Sequence, residues 1–474
     1  MDTLLCDELL QEIFQRLSSS PSSSAVSLVS KRWLHLYRTS KTSLTLRFTP
    51  HNSTIPSLFS LLSHYPYLSS LSLTSSDTTA ATTTITAAFS DHLLLAVSSS
   101  CSNLRHFRYL AGPVSLSSLL SLSKTCTHLT SLNITLSRPL FFRWVVSFPS
   151  LKELSVSISG ENTVAGELFN TEFQNSDAEL GLESLYLTGI RNDDDGIGWL
   201  WRSCKKVRKL QLRSCEGIGD GGSFSSFIKC LQGLQEVELR TCRTIVDGVL
   251  LKLAENCCNL NSLLVYDGGS KVGLLQFISL CRCNPKRLDF RLPLDLDNDH
   301  ILAIAQNFRG LLSLKLQSCC LVTGEGLKTL GIAMSSGLEE LALINCDVVE
   351  REPGLLTTLG QNLRKLRKLD LSYNEMLLDK EFVSMLVSCS SLIDLKLRGC
   401  RGLTNAAMVS VFKSCKKLES VDIMHCCRID PEAIEFFVLN SPRLRQVQVE
   451  ESKLSKVVKA WASQKFIEVA DLLN

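Results

Sequence analysis

A chain of 474 residues, 45% hydrophobic and 20% charged, can bury a large core in one elongated array or several domains. Lys and Arg number 50 against 47 Asp and Glu, a net charge of +3, which is too balanced for a protein that depends on nucleic-acid phosphates. The acidic start through Asp2, Asp7 and Glu8 is unlike a secretion signal, and no apolar run reaches the roughly 18 residues of a membrane helix. With 19 cysteines, an odd number, the expectation is a soluble, reduced protein of the nucleus or cytoplasm, not secreted and not held to a membrane.

The first forty residues stand apart. Leu9, Ile13 and Leu17 share one helical stripe within Leu5–Leu17, a Ser-rich turn follows at Ser18–Ser24, and Ala25–Leu36 predicts a second amphipathic helix carrying Trp33. So short a segment buries little apolar surface by itself, so its stripe must pack on the rest of the chain, on another protein, or on both. It resembles the F-box, whose pattern runs Leu-Pro-x-x-Leu, Ile-Phe/Leu-x-x-Leu and Val-Ser/Cys-Lys-x-Trp. The matches are Leu5, Leu9, Ile13, Phe14, Leu17, Val29, Ser30, Lys31, Arg32 and Trp33, and the departure is Cys6 in place of Pro. The resemblance implies docking on a Skp1-like adaptor through Leu5, Cys6, Leu9, Ile13, Leu17, Val29 and Trp33. Some of these would instead pack inside the helical pair.

From Lys41 onward an internal repeat takes over. Leu-x-x-Leu-x-Leu-x-x-Cys recurs at units beginning at 207, 234, 260, 285, 311, 338, 366, 392, 418 and 444, in steps of 25 to 28 residues. Looser copies begin at Lys41, Leu68, Leu104, Leu129, Leu151 and Leu182, making about sixteen units. The two long steps contain Thr74–Thr86 and Gly160–Asn175, which read as inserted loops because the register resumes after each. Within a unit the second and third Leu alternate as a half-buried strand does, and the second half has helical character, with start signals such as Thr404 and Asp430-Pro431. No unit can bury its own apolar face; stacking buries them all.

Cysteines follow this lattice. Cys215, Cys242, Cys319, Cys346, Cys400 and Cys426 hold the ninth position, where Asn374 stands once, and Cys101, Cys126, Cys204, Cys257, Cys389 and Cys415 lie three residues before a unit. Small buried thiols suit such sites. The doublets and Cys281-x-Cys283 lack the paired spacing of a zinc site. This is similar to the cysteine-containing leucine-rich repeat, and F-box followed by such repeats looks like the plant F-box/leucine-rich-repeat family. The fold class expected is an α/β solenoid: a helical F-box (1–40), a curved horseshoe of repeats with parallel strands on its concave face and helices on its convex face (41–450), and a helical cap (451–474).

The resemblance implies a substrate receptor of an SCF (Skp1–cullin–F-box) ubiquitin ligase, reaching cullin and RING subunits through the adaptor. Such a receptor contributes proximity and has no catalytic residue, metal or cofactor of its own. Two alternatives stay open: a repeat scaffold with no ligase role, and a co-receptor binding a small molecule beneath the Thr74–Thr86 loop. Motifs that suggest chemistry read as turns. Gly217-Ile-Gly219-Asp-Gly221-Gly222 lies between strand and helix of one repeat, and Asp193-Asp194-Asp195-Gly196 lacks calcium-loop spacing and is expected to be a solvated turn. The target protein, whose identity the sequence leaves open, is expected on the strand face. Two places before the lattice cysteine stand Arg213, Arg240, Tyr266, Arg291 and Arg398, with Lys315 beside them, a set suited to an acidic or phosphorylated segment. Glu238 and Asp289 stand where they can neutralise it. Leu454, Val457, Val458, Trp461, Phe466 and Val469 in the tail predict one or two amphipathic helices over the last repeat.

Overall fold

A computed structural model describes residues 5–17, 25–48, 54–75, 87–160, 178–194, 196–219, 221, 224–293 and 295–470. The Ser-rich turn at 18–24, nearly all of both inserted loops, and Asp195, Asp220 and Gly222 lie outside them. The chain divides into two compact units, Met1–Gly233 and Leu234–Asn474.

The first unit opens with helix Asp7–Arg16, a 3-10 turn at Ala25–Leu28 and helix Lys31–Ser40. Seven parallel strands follow: β1 Ser43–Phe48, β2 Ser70–Ser75, β3 His106–Pro113, β4 Ser131–Ser137, β5 Glu153–Ser159, β6 Ser184–Thr188 and β7 Lys209–Arg213. Each pairs with the next in sequence, so Leu71, Phe107, Leu132, Leu154, Leu185 and Leu210 stand in one row, all buried. The second unit carries ten: β8 Glu236–Arg240, β9 Ser262–Tyr266, β10 Arg287–Arg291, β11 Ser313–Gln317, β12 Glu340–Ile344, β13 Lys368–Asp370, β14 Asp394–Lys396, β15 Ser420–Asp422, β16 Gln446–Gln448 and β17 Glu468–Ala470. Its corresponding row runs Val237, Leu263, Leu288, Leu314, Leu341, Leu369, Leu395, Val421 and Val447. Parallel neighbours need a crossover, and helices such as Val246–Asn256 and Asn405–Ser414 supply it. Their inner faces cover the leucine rows, and each fully buried Leu stabilises by roughly 2 kcal/mol. Both units are α/β solenoids of leucine-rich-repeat type, with one of β1–β16 in each predicted unit.

What ends each strand is a residue that sequence patterning does not reveal. The eighth position of every unit from 182 to 418 has positive φ: Gly189, Ser214, Thr241, Asp267, Leu292, Ser318, Asn345, Tyr373, Gly399 and His425. Only two are glycine, and a left-handed backbone costs other residues about 1–2 kcal/mol. The return is a hydrogen bond. The N–H of Thr241 donates to Tyr266 O at 2.8 Å, that of Asp267 to Arg291 O at 2.9 Å, and that of Leu292 to Gln317 O at 2.9 Å. The turn thus makes one more rung to the next strand before the chain swings toward its helix.

The lattice cysteine lies just behind this turn and is buried in each case. Cys400 Sγ donates to Leu371 O at 3.1 Å and Cys426 Sγ to Leu397 O at 3.0 Å, each a carbonyl of the preceding repeat. Burial pushes the Cys426 thiol up to about 12, so it stays protonated and able to donate. Asn374 makes more of the same position: Nδ2 donates to Leu343 O and Leu371 O, and Oδ1 accepts from Cys346 N, at 2.7 to 2.9 Å. Helix starts are tied similarly. Asp91, Asp247, Asn298, Asp379 and Asn405 each accept the backbone N–H that begins the next repeat's helix, at Ser115, Ser270, Thr323, Thr404 and Asp430.

Two elements differ from the sequence expectation. The second N-terminal helix starts at Lys31, not Ala25, because Ser30 turns out to be its N-cap, its hydroxyl accepting from Trp33 N at 3.1 Å. At the far end, a helix at Lys456–Gln464 is followed by the strand β17, which extends the ladder beside β16, leaving Phe466 at 91% exposure rather than packed. Asn374→Ala should cost about 2–4 kcal/mol by orphaning three buried backbone groups. Asn374→Cys should cost less than half of that, since a thiol serves the same place elsewhere; midpoints of guanidinium unfolding measure both.

Candidate functional site

Two surfaces present side chains that the core does not consume. The first is the N-terminal helical pair. Leu10, Phe14 and Leu36 form its buried centre, with Leu17, Val26, Trp33 and Tyr37 packed around them. Phe14 sets its ring 5.5 Å from that of Trp33 and 6.1 Å from that of Tyr37. Arg32 crosses between the helices, donating to Asp7 at 2.5 and 2.8 Å and to Leu5 O at 2.9 Å. The pair therefore carries a small core of its own.

That core divides the residues expected to face an adaptor. Leu17 and Trp33 are half-buried against Phe14, whereas Leu5, Leu9, Ile13 and Val29 are 37%, 50%, 45% and 58% exposed. Leu28, at 85%, joins them. Sequence reasoning passed it over because it placed Leu28 inside a helix, whereas it lies in the exposed 3-10 turn. Cys6 is exposed and occupies the N-cap with φ −71° and ψ 162°, a φ that proline would hold.

The second surface is the open face of the strands. In the Leu234–Asn474 unit four of its cations, those the sequence singled out, are neutralised locally, while Arg287, Lys368 and Lys396 are exposed there. Arg240 pairs with Glu238 at 3.0 Å, Arg291 with Asp289 at 2.7 Å, Lys315 with Glu340 at 2.7 Å and Arg398 with Asp422 at 2.9 Å. Hydrogen bonding to Asp289 raises the Arg291 pKa further above its ordinary value. Tyr266 is half-buried and in register with both Arg240 and Arg291. Arg213 belongs to the Met1–Gly233 unit. It is exposed and lines a hollow of about 360 Å³ with Arg108, Asn133, Glu153, Tyr186 and Gln211.

The motifs that suggested chemistry have structural explanations. Asp194 is not a solvated residue of its turn: it is 5% exposed and gripped by Arg138 Nε at 2.7 Å and Nη2 at 3.0 Å. Arg138 also donates to Gly160 O and Gly189 O, so a buried ion pair with two further hydrogen bonds to backbone carbonyls ties the strand ends together. The glycine run packs on the same segment. A Cβ at Gly217 would stand 2.3 Å from Asn192 N, and one at Gly219 2.5 Å from Asp194 O. Among the described residues no three His, Cys, Asp or Glu are grouped to hold a metal, and no helix is long and apolar enough to cross a membrane.

No family model matches the chain. A putative RNA-binding protein of Caenorhabditis elegans is 25% identical over 298 residues, covering 60% of this chain and 38% of that protein, so the chain spans under two fifths of its relative. Two solved structures are similar to it over most of their length. One is the yeast Rad7–Elc1 complex, at 15% identity, 93% and 96% coverage and a TM-score of 0.45. The other is a leucine-rich-repeat protein of Leptospira interrogans, at 16% identity, 96% and 94% coverage and a TM-score of 0.36. The fold itself is a leucine-rich-repeat solenoid, and the chain's own strand ladder carries that conclusion.

The division of the N-terminal residues into core and surface is measurable. Phe14→Ala should loosen the helical pair by about 3–5 kcal/mol, seen as faster hydrogen exchange of the Asp7–Arg16 amides. Leu9→Ala, on the exposed side, should leave that exchange unchanged.

Proposed function

We propose that this chain is the substrate receptor of an SCF-type ubiquitin ligase. In this reading residues 1–40 dock a Skp1-like adaptor and, through it, cullin and RING subunits. Residues 41–450 carry the target protein, and 451–474 close the last repeat. One observation carries the reading: five apolar side chains, Leu5, Leu9, Ile13, Leu28 and Val29, stand exposed on a helical pair that already has its own core. An apolar face of that kind, left after internal packing is complete, marks a contact site for another protein. Its sequence is the one that resembles the F-box, and the N-cap at Cys6 keeps the φ that the missing proline would have set.

The receptor performs no bond chemistry. It holds a target close to a conjugating enzyme charged with ubiquitin, and the rate gain comes from effective concentration. A wide ladder of parallel strands suits this work, because open-face side chains are presented in fixed rows. The nematode relative's name speaks of RNA, but 50 Lys and Arg against 47 Asp and Glu leave little net charge to hold a phosphate backbone.

Leu9→Asp/Ile13→Asp tests the adaptor face. Both positions are exposed in the free chain, so the variant should fold and melt as the parent does. Its affinity for a Skp1-type adaptor in a pull-down or calorimetric titration should fall by two orders of magnitude or more, about 3 kcal/mol, because a desolvated carboxylate meets an apolar partner. Unchanged binding would remove the adaptor from this face.

A further inference from the structure

We propose that the open strand face of the Met1–Gly233 unit holds an extended segment of a target protein bearing two anionic side chains, gripped at its two ends by Arg108 and Arg213. The inference rests on the receptor reading above; of the arginines that the sequence favoured it keeps Arg213, drops Arg240, Arg291 and Arg398, and adds Arg108.

The contrast between the two strand faces decides it. In the Leu234–Asn474 unit Arg240, Arg291 and Arg398 each have an acid within 3.0 Å. Binding an anion there means breaking a pair already made. Arg108 and Arg213 are both exposed, and neither has an ion pair or side-chain hydrogen bond among the described residues. They line the same hollow of about 360 Å³, where Glu153 is the one acid of the lining. Two guanidiniums therefore face a cavity that one carboxylate offsets in part.

Glu153 apart, the floor between them is uncharged and mostly polar. Asn133, Ser155, Tyr186 and Gln211 stand in the row that begins at Arg108, and Ser157 and Thr188 stand in the row that ends at Arg213. Asn133 Oδ1 is buried and has no hydrogen-bond partner, so it is an acceptor waiting for an N–H. A peptide backbone supplies such donors, and the hydroxyls of the floor can meet its carbonyls. This is a surface for a polar main chain, not for an apolar helix.

Spacing sets the length of the occupant. Arg108 is on β3 and Arg213 on β7, four strand intervals away. At about 4.8 Å each, the separation is about 19 Å, which an extended chain covers in about six residues. A segment with anionic side chains about six residues apart matches that separation, one at each end. Guanidinium forks bind carboxylate and phosphate alike, so both sources remain as arms of the test.

Fluorescence anisotropy with the full chain and a labelled peptide carrying two phosphoserines about six residues apart measures the site directly. Its partners are the same peptide with Glu at both places and with Ser at both places. The phosphoserine peptide should bind, the Ser peptide at least about tenfold more weakly, and added salt should weaken the first but not the second. If the Glu peptide matches the phosphoserine peptide, carboxylate suffices; if it is weaker, phosphate is the better ligand, and either result keeps the site. Arg108→Gln/Arg213→Gln should weaken binding at least about tenfold and Glu153→Gln should tighten it, while Arg240→Gln/Arg291→Gln should change it by less than about twofold. Adaptor binding should be the same in all these variants, so loss of that reading would show separately. The proposal is overturned if Arg108→Gln/Arg213→Gln binds as the parent does. It is also overturned if the Ser peptide binds equally, or if a single-stranded oligoribonucleotide of equal charge binds more tightly than the phosphoserine peptide.

Discussion

The rung that closes the repeats from Leu182 onward organises that stretch of the chain. At Gly189, Thr241, Asp267, Leu292, Ser318, Asn345, Tyr373 and Gly399 a left-handed residue follows the strand and its N–H bonds a carbonyl of the next repeat, and at Cys215, Cys346, Asn374, Cys400 and Cys426 the residue behind such a turn reaches back to the preceding repeat. That double tie fixes register between neighbours. Because strand side chains alternate, a slip of one residue would exchange the leucine row with the open-face row and empty the core. With the register held, Leu, Val and Ile fall between strands and helices, and every other residue is delivered to the opposite face in ordered rows.

Much of this is written in the leucine and cysteine spacing. The spacing located a strand in each unit from Lys41 to Leu444 and gave buried thiols at twelve lattice positions. The left-handed turn escapes such a reading because eight of its ten residues are not glycine. Leu292 and Tyr373 have no propensity for that conformation; the interstrand hydrogen bond imposes it, and a bond to another repeat leaves no local trace. Asp194 is a similar case. Three consecutive aspartates resemble a solvated turn until Arg138, 56 residues earlier, is brought against the middle one. At the N-terminus the helical stripe was legible, but its partition was not. Whether Trp33 faces out or in depends on where Phe14 sits, and that is a fact of helix packing.

The two strand faces also show why a count of arginines misleads. Patterning places Arg240, Arg291 and Arg398 in one column and suggests a cationic strip. Folding brings Glu238, Asp289 and Asp422 within hydrogen-bonding range, and the strip becomes a set of closed pairs. Such pairs stabilise little when half exposed, yet they remove the field that an anionic partner would sense. The face around Arg108 and Arg213 has fewer charges, but they stand uncompensated except by Glu153. Available charge, not total charge, selects a partner.

In the proposed receptor, adaptor and target use different surfaces of one chain. Hydrogen–deuterium exchange of the full chain, alone and with a Skp1-type adaptor, tests this most directly. The account predicts slower exchange in the helices Asp7–Arg16 and Lys31–Ser40 and in the Ala25–Leu28 turn on adding the adaptor, with the strands from Ser70 to Arg213 unaffected. Protection on those strands with none in the helical pair would contradict it.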